Sequence, residues 1–142
     1  MGKARRFTVV LVMVTMLVIA APAAFAAKGG GGKGHGTTTG GSGTFSFVMV
    51  SDTNANGLAN YGDSVTASVV TTIAQPWVQL TCYQNGTTVL NQYIGFYAGY
   101  PWSQVFSLGT WMWTSGAADC NARFFDGSNN ATLATTSFHV DA

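Results

Sequence analysis

The chain has 142 residues, 47% of them hydrophobic and only 8% charged, with no Glu at any position. That length holds one domain plus extensions. Past residue 26, Lys28, Lys33 and Arg123 stand against Asp52, Asp63, Asp119, Asp126 and Asp141, a net charge of −2; so few cations cannot neutralise a row of phosphates, which excludes a nucleic-acid binder.

In chain order, the first segment reads as an export signal. Lys3, Arg5 and Arg6 form a basic start, Phe7 to Ile19 is an uncharged apolar run, and Ala24-Phe25-Ala26 offers small residues at a cleavage point. This predicts a signal peptide over residues 1–26, and Ala21-Pro22-Ala23 satisfies the same rule. The apolar run is shorter than the ~20 residues a spanning helix needs, and no later segment is longer. The expected product is a secreted or envelope-associated chain without a membrane span.

Residues 27–43 carry KGGGGKGHGTTTGGSG, which has no apolar side chain to bury. Such a stretch cannot offset its ordering entropy and is predicted to be a flexible glycine linker, with His35 solvated within it.

From Thr44 to Ala142 the pattern turns to period two. Phe45, Phe47 and Met49 alternate with polar or smaller neighbours. So do Val65, Ala67 and Val69; Val78, Leu80 and Cys82; Ala118, Cys120, Ala122 and Phe124; and Ala134, Thr136, Phe138 and Val140. These runs are half-buried strands, and no segment carries a helical apolar period. Asn85-Gly86 suits a type I′ hairpin leading into a strand over Thr87–Ile94. Asp126-Gly127-Ser128-Asn129 suits a turn between the last two strands. A further strand is expected near Gln104–Leu108, running on through Trp113. About seven strands in roughly 99 residues match the size and rhythm of an Ig-like β-sandwich, with a small β-barrel as the alternative.

Cys82 and Cys120 are the two cysteines. An even pair in an exported chain reads as a disulfide. It would join the third strand to the sixth, neighbours within one sheet. The antibody pattern instead bridges the two sheets, and it places a Tyr where this chain has Ala118.

The stretch Asp52-x-Asn54-x-Asn56-Gly57, followed by Gly62-Asp63-Ser64-Val65-Thr66, resembles the opening of Ig-like repeat modules in bacterial exported and surface proteins. The likeness covers about 25 residues, Thr44 to Val69. Ser115 to Ala122 is similar to a segment of small exported bacterial proteins. The resemblance implies a sandwich fold and an extracellular setting; fold alone does not set function.

The candidate sites are few. Past the linker there is one His, His139, and no Lys, so no paired acid and base or activated nucleophile is expected and the chain is read as non-catalytic. Counting Asp52 as position 1 places Asn54, Asn56, Leu58, Asn60 and Asp63 at positions 3, 5, 7, 9 and 12, with Gly57 at 6. That is the spacing of a twelve-residue calcium loop built from hard oxygen donors, flanked here by strands rather than helices. With two carboxylates it would hold calcium weakly, as a structural ion; the alternative is a solvated turn.

The second candidate is aromatic. Tyr97, Tyr100 and Trp102 lie among Gly and Pro and are the expected exposed set, while Trp111 and Trp113 would share one strand face as a two-ring platform. Most other aromatics are expected in the core. Two function classes follow: a protein-interaction or structural module at or near the cell surface, or a carbohydrate-binding module using Trp and Tyr platforms. Asn85-Gly86-Thr87 and Asn130-Ala131-Thr132 have the form of glycosylation acceptors and are read as turn chemistry.

Overall fold

A computed structural model describes residues 41–142. The expected signal peptide, His35 and most of the glycine linker lie outside the described residues. The alternating runs form seven strands: β1 Gly43–Ser51, β2 Ser64–Thr71, β3 Pro76–Gln84, β4 Thr87–Gly95, β5 Phe106–Ser107, β6 Ala118–Asp126 and β7 Thr132–Val140. No helix is present among the described residues, so none is long and apolar enough to cross a membrane.

The strands make two antiparallel sheets, ordered β1-β2-β5 and β4-β3-β6-β7. In Ig-type labels these are A-B-E and C′-C-F-G. The expected sandwich is what forms. The barrel does not, because β1 pairs only with β2 and β7 only with β6. The inner faces carry the period-two residues. Val65, Val78, Leu80, Phe106, Leu108, Phe124 and Val140 are wholly buried, and Phe47, Ala122 and Phe138 nearly so. Phe47 packs against Phe106 and Phe138, with ring centroids 5.9 and 5.2 Å apart. Burial of such side chains is the main driving term, about 1.5–3 kcal/mol for each large one.

Cys82 and Cys120 are directly opposite each other on β3 and β6 and are bonded. The disulfide therefore lies within the four-stranded sheet, as expected. It joins residues 38 positions apart, for which the chain-entropy account gives roughly 4 kcal/mol of stabilisation. An all-β chain with a disulfide is compatible with an extracellular protein.

The turns follow their residues. Asn85 and Gly86 both have positive φ, 49° and 80°, as a type I′ hairpin requires. Asn130 also sits at positive φ, so both acceptor-like sequons are turn elements. β1 begins at Gly43, one residue inside the expected linker. A Cβ there would lie 2.5 Å from the Phe124 ring, so only glycine lets the strand start so close to the core.

β5 is shorter than expected. The strand near Gln104–Leu108 reduces to Phe106–Ser107 and does not run on through Trp113. The chain turns at Thr110: its carbonyl accepts from Trp113 N at 3.1 Å, and its hydroxyl caps Met112 N and donates to the Val89 carbonyl. Burying Phe106 and Leu108 before the turn and Trp113 after it makes a kinked path more favourable than a straight strand.

Candidate functional site

The β1–β2 connection is heavily cross-braced. Three side-chain oxygens cap backbone N–H groups a few residues ahead: Asp52 Oδ2 accepts from Gly57 N (2.8 Å), Asn54 Oδ1 from Asn56 N (3.1 Å) and Asn56 Oδ1 from Leu58 N (2.7 Å). Gly57 adopts φ 75°, the left-handed conformation that a residue with Cβ resists. These short-range bonds are why Asp, Asn and Gly belong here.

Asp63 closes the loop from its far end. Its Oδ1 accepts from Thr53 N (2.8 Å) and Thr53 Oγ1 (2.7 Å), and its Oδ2 accepts from Asn60 N (2.9 Å). The side chain is fully buried. A carboxylate is tolerated there because three donors converge on it. The loop is also pinned to the rest of the sandwich. Tyr61 N donates to the Asp141 carbonyl, Asp141 N to the Ala59 carbonyl, Gly62 N to the Leu108 carbonyl and Leu108 N to the Asp63 carbonyl.

Two oxygens in this loop are exceptions. Asp52 Oδ1 and Asn60 Oδ1 are buried and have no hydrogen-bond partner. Asn60 as a whole is only 5% exposed. A buried acceptor without a donor costs about 1–3 kcal/mol, so such a pair is uncommon in a folded chain. Of the expected calcium ligands, Asp52, Asn54, Asn56, Leu58 and Asn60 keep acceptor capacity on the loop. Asp63, expected as the twelfth-position ligand, is largely taken up by protein donors. No group of three or more His, Cys, Asp or Glu among the described residues is placed to hold a metal ion; the other oxygens of this loop are amides and backbone carbonyls.

The aromatic candidates divide. Trp113 is 2% exposed, packs its ring 5.7 Å from Tyr61 and donates its Nε1–H to the Gly116 carbonyl. It is a core residue, and the expected two-ring platform with Trp111 does not form. The expectation assumed a straight strand, in which residues two apart share a face. The Thr110 turn breaks that parity, and Trp111 ends 92% exposed.

Tyr97, Tyr100 and Trp102 do come together, and Trp77 joins them, a member that sequence reasoning missed. Tyr100 meets Trp77, Tyr97 and Trp102 with ring centroids 5.7, 5.4 and 5.3 Å apart. The interplanar angles are 85°, 80° and 70°, edge-to-face packing rather than a flat platform. Gly95 makes room for it, since a Cβ would meet the Tyr97 and Tyr100 rings at 2.5–2.8 Å. Trp102 alone in this cluster is strongly exposed, at 69%.

Two of the surface grooves bear on binding. One, of about 300 Å³, runs between edge strand β4 and the Thr110–Met112 turn, with Trp111 and Met112 on its wall. Gln92 lines it, and its Oε1 is buried without a partner. The other, of about 490 Å³, crosses the outer face of β3, β6 and β7. Its wall is polar: Gln79, Thr81, Tyr83, Asn121, Arg123 and Ser137. Arg123 also lies over the Phe125 ring at 4.2 Å and donates to Asn130. His139 is an exposed residue of β7, paired with Asp119 at 2.8 Å.

No protein-family model matches the chain, and no curated protein matches it.

Proposed function

We propose that the chain is a non-catalytic, exported β-sandwich module that binds a protein partner at or near the cell surface. The observation that carries this reading is Trp111. Its nearly bare ring stands with Met112 beside β4, the outer strand of the larger sheet. Exposed Trp beside a groove is the usual anchor of a protein contact. An outer strand offers backbone donors and acceptors to an incoming strand. A partner strand along β4 would cover both Trp111 and Met112. Export is supported by the signal-peptide pattern and by the disulfide. The likeness of the Asp52–Thr66 stretch to bacterial Ig-like repeats supports a surface setting. His139 has Asp119 at 2.8 Å and Asp141 at 3.8 Å, but all three side chains are at least half exposed on an open strand surface, which favours a surface ion pair over an acid–base site.

Capture of extracellular or envelope proteins by the purified chain tests the reading. Trp111→Ala should fold normally and lose a specific captured partner by at least about ten-fold, the weight of a modest hot spot. Undiminished capture by that variant would remove β4 and Trp111 from the binding surface.

A second reading, carbohydrate binding, is favoured by the polar groove on the outer face of the larger sheet, where amides, hydroxyls and Tyr83 converge. The edge-to-face packing around Tyr100 gives it no flat platform. Glycan binding that is lost in Asn121→Ala and kept in Trp111→Ala would favour this reading over the first.

A further inference from the structure

We propose that the Asp52–Asp63 loop holds one calcium ion, with Asp52, Asn54, Asn56, the Leu58 carbonyl and Asn60 as its protein ligands and Asp63 as the residue that closes the loop around it. None of these residues lines the β4–Trp111 groove of the proposed partner surface. It rests on three observations.

The first is spacing. Oxygen donors fall at positions 1, 3, 5, 7, 9 and 12 of a twelve-residue stretch, with glycine at 6. The glycine is in the left-handed conformation that a sharp turn at that position demands.

The second is preorganisation. The bonds from Gly57 N, Asn56 N and Leu58 N hold the Asp52, Asn54 and Asn56 carboxyl and amide oxygens turned back over the loop. A carboxylate or amide oxygen accepting one hydrogen bond keeps a second lone pair for a cation. Asp63 then ties Thr53 to Asn60, bringing the first ligand's neighbour and the fifth ligand onto one carboxylate.

The third observation points to an ion directly. Asp52 Oδ1 and Asn60 Oδ1 are buried on this loop without any donor, and Asn60 is only 5% exposed. No Lys, Arg or His occurs between positions 52 and 63, so the loop supplies no cation for its own two carboxylates. A divalent ion would satisfy both bare oxygens and both charges at once. Calcium fits better than magnesium, because calcium takes six to eight mixed amide, carbonyl and carboxylate oxygens in variable geometry, whereas magnesium requires a strict octahedron and keeps several of its waters.

Asp63 departs from the ordinary twelfth residue. Its Oδ1 already accepts two hydrogen bonds and its Oδ2 one, so it offers at most a single oxygen. With that restriction and only two charges, half-saturation is expected at about 10⁻⁴–10⁻³ M, the class of extracellular modules.

The test is calorimetric titration and thermal unfolding of the purified chain in EDTA, in calcium chloride and in magnesium chloride at matched ionic strength. The expected result is a saturable, calcium-specific rise in Tm with a half-effect in that range. Asp52→Asn keeps an acceptor for Gly57 N and removes one charge; it should weaken calcium binding by about ten-fold or more. Asn60→Asp should do the opposite in two ways. It should lower Tm in EDTA, where a carboxylate is buried uncompensated, and tighten calcium binding by about ten-fold. If Asp52→Asn fails to fold, the Asn60→Asp response decides alone. The proposal is overturned by no Tm change up to about 10 mM calcium, by an equal response to magnesium, or by Asn60→Asp lowering Tm with calcium unable to restore it. In that last case the bare oxygens are served by water.

Discussion

The loops Asp52–Asp63 and Asp126–Ala131 draw on the same residue types, and each contains a carboxylate bonded to both the N–H and the hydroxyl of one residue. Asp63 accepts from Thr53 N and Thr53 Oγ1; Asp126 accepts from Ser128 N and Ser128 Oγ. Thr53 is ten residues from Asp63, which is buried, whereas Ser128 is two residues from Asp126 and their bonds are exposed. The carboxylate of the Asp126 loop closes a local turn that the neighbouring residues specify, and one backbone bond, Gly127 N to the Gln75 carbonyl, ties that turn to the β2–β3 connection. The Asp63 loop is held by contacts that exist only when β1, β2, β5 and the end of β7 are assembled. Identical chemistry thus produces an exposed turn bond at one site and, at the other, a buried carboxylate that braces a loop whose tip stays exposed.

The sharpest way to break that contrast is to remove each carboxylate. Asp63→Ala leaves Thr53 N and Asn60 N without their acceptor and should cost about 3 kcal/mol in chemical denaturation. Asp126→Ala should be far milder. Comparable losses would mean that burial does not distinguish the two loops.

Next in size is Gly62→Ala. Gly62 has φ 93°, and open space lies where a methyl group would sit, so the penalty is purely conformational, about 1–2 kcal/mol. A Tm equal to wild type would show that the loop relaxes freely and is not braced.

Thr53→Val removes the hydroxyl donor and keeps the backbone one. A loss of about 1 kcal/mol in equilibrium unfolding is expected. A neutral result would assign the closure of the loop to backbone bonds alone.

The smallest effect concerns acid. The backbone and hydroxyl bonds from Ser128 hold the Asp126 carboxyl below its ordinary value of 3.8. A lowered folded-state pKa contributes stability above 3.8, and that contribution fades as pH falls through the folded value. Wild type and Asp126→Asn should therefore differ slightly near neutral pH and converge in strong acid. A difference that grows on acidification would reverse the assignment.

Much of the fold was legible in the residues. The inward sets of β3 and β6, Val78-Leu80-Cys82 and Ala118-Cys120-Ala122-Phe124, are all buried, because period two is a property of the extended chain itself. The disulfide and both hairpin turns followed from cysteine count and turn chemistry. Trp113 was not legible: parity holds only while a strand runs straight, and the Thr110 turn intervenes. Trp77 was missed because its ring partners, Tyr97 and Tyr100, lie beyond the next strand and meet it only once β3 and β4 have paired.

The all-β class, the alternation that sorts core from surface, the paired cysteines and the positions of the tight turns are legible in the residues alone. Each depends on residues within a few positions of one another, or on composition. The burial of Asp63, the bare buried oxygens of Asp52 and Asn60, and the separation of Trp111 from Trp113 arise only in the assembled fold. Those outcomes depend on which distant strands pack over a side chain, and burial is a property of the assembled sheets rather than of any local stretch.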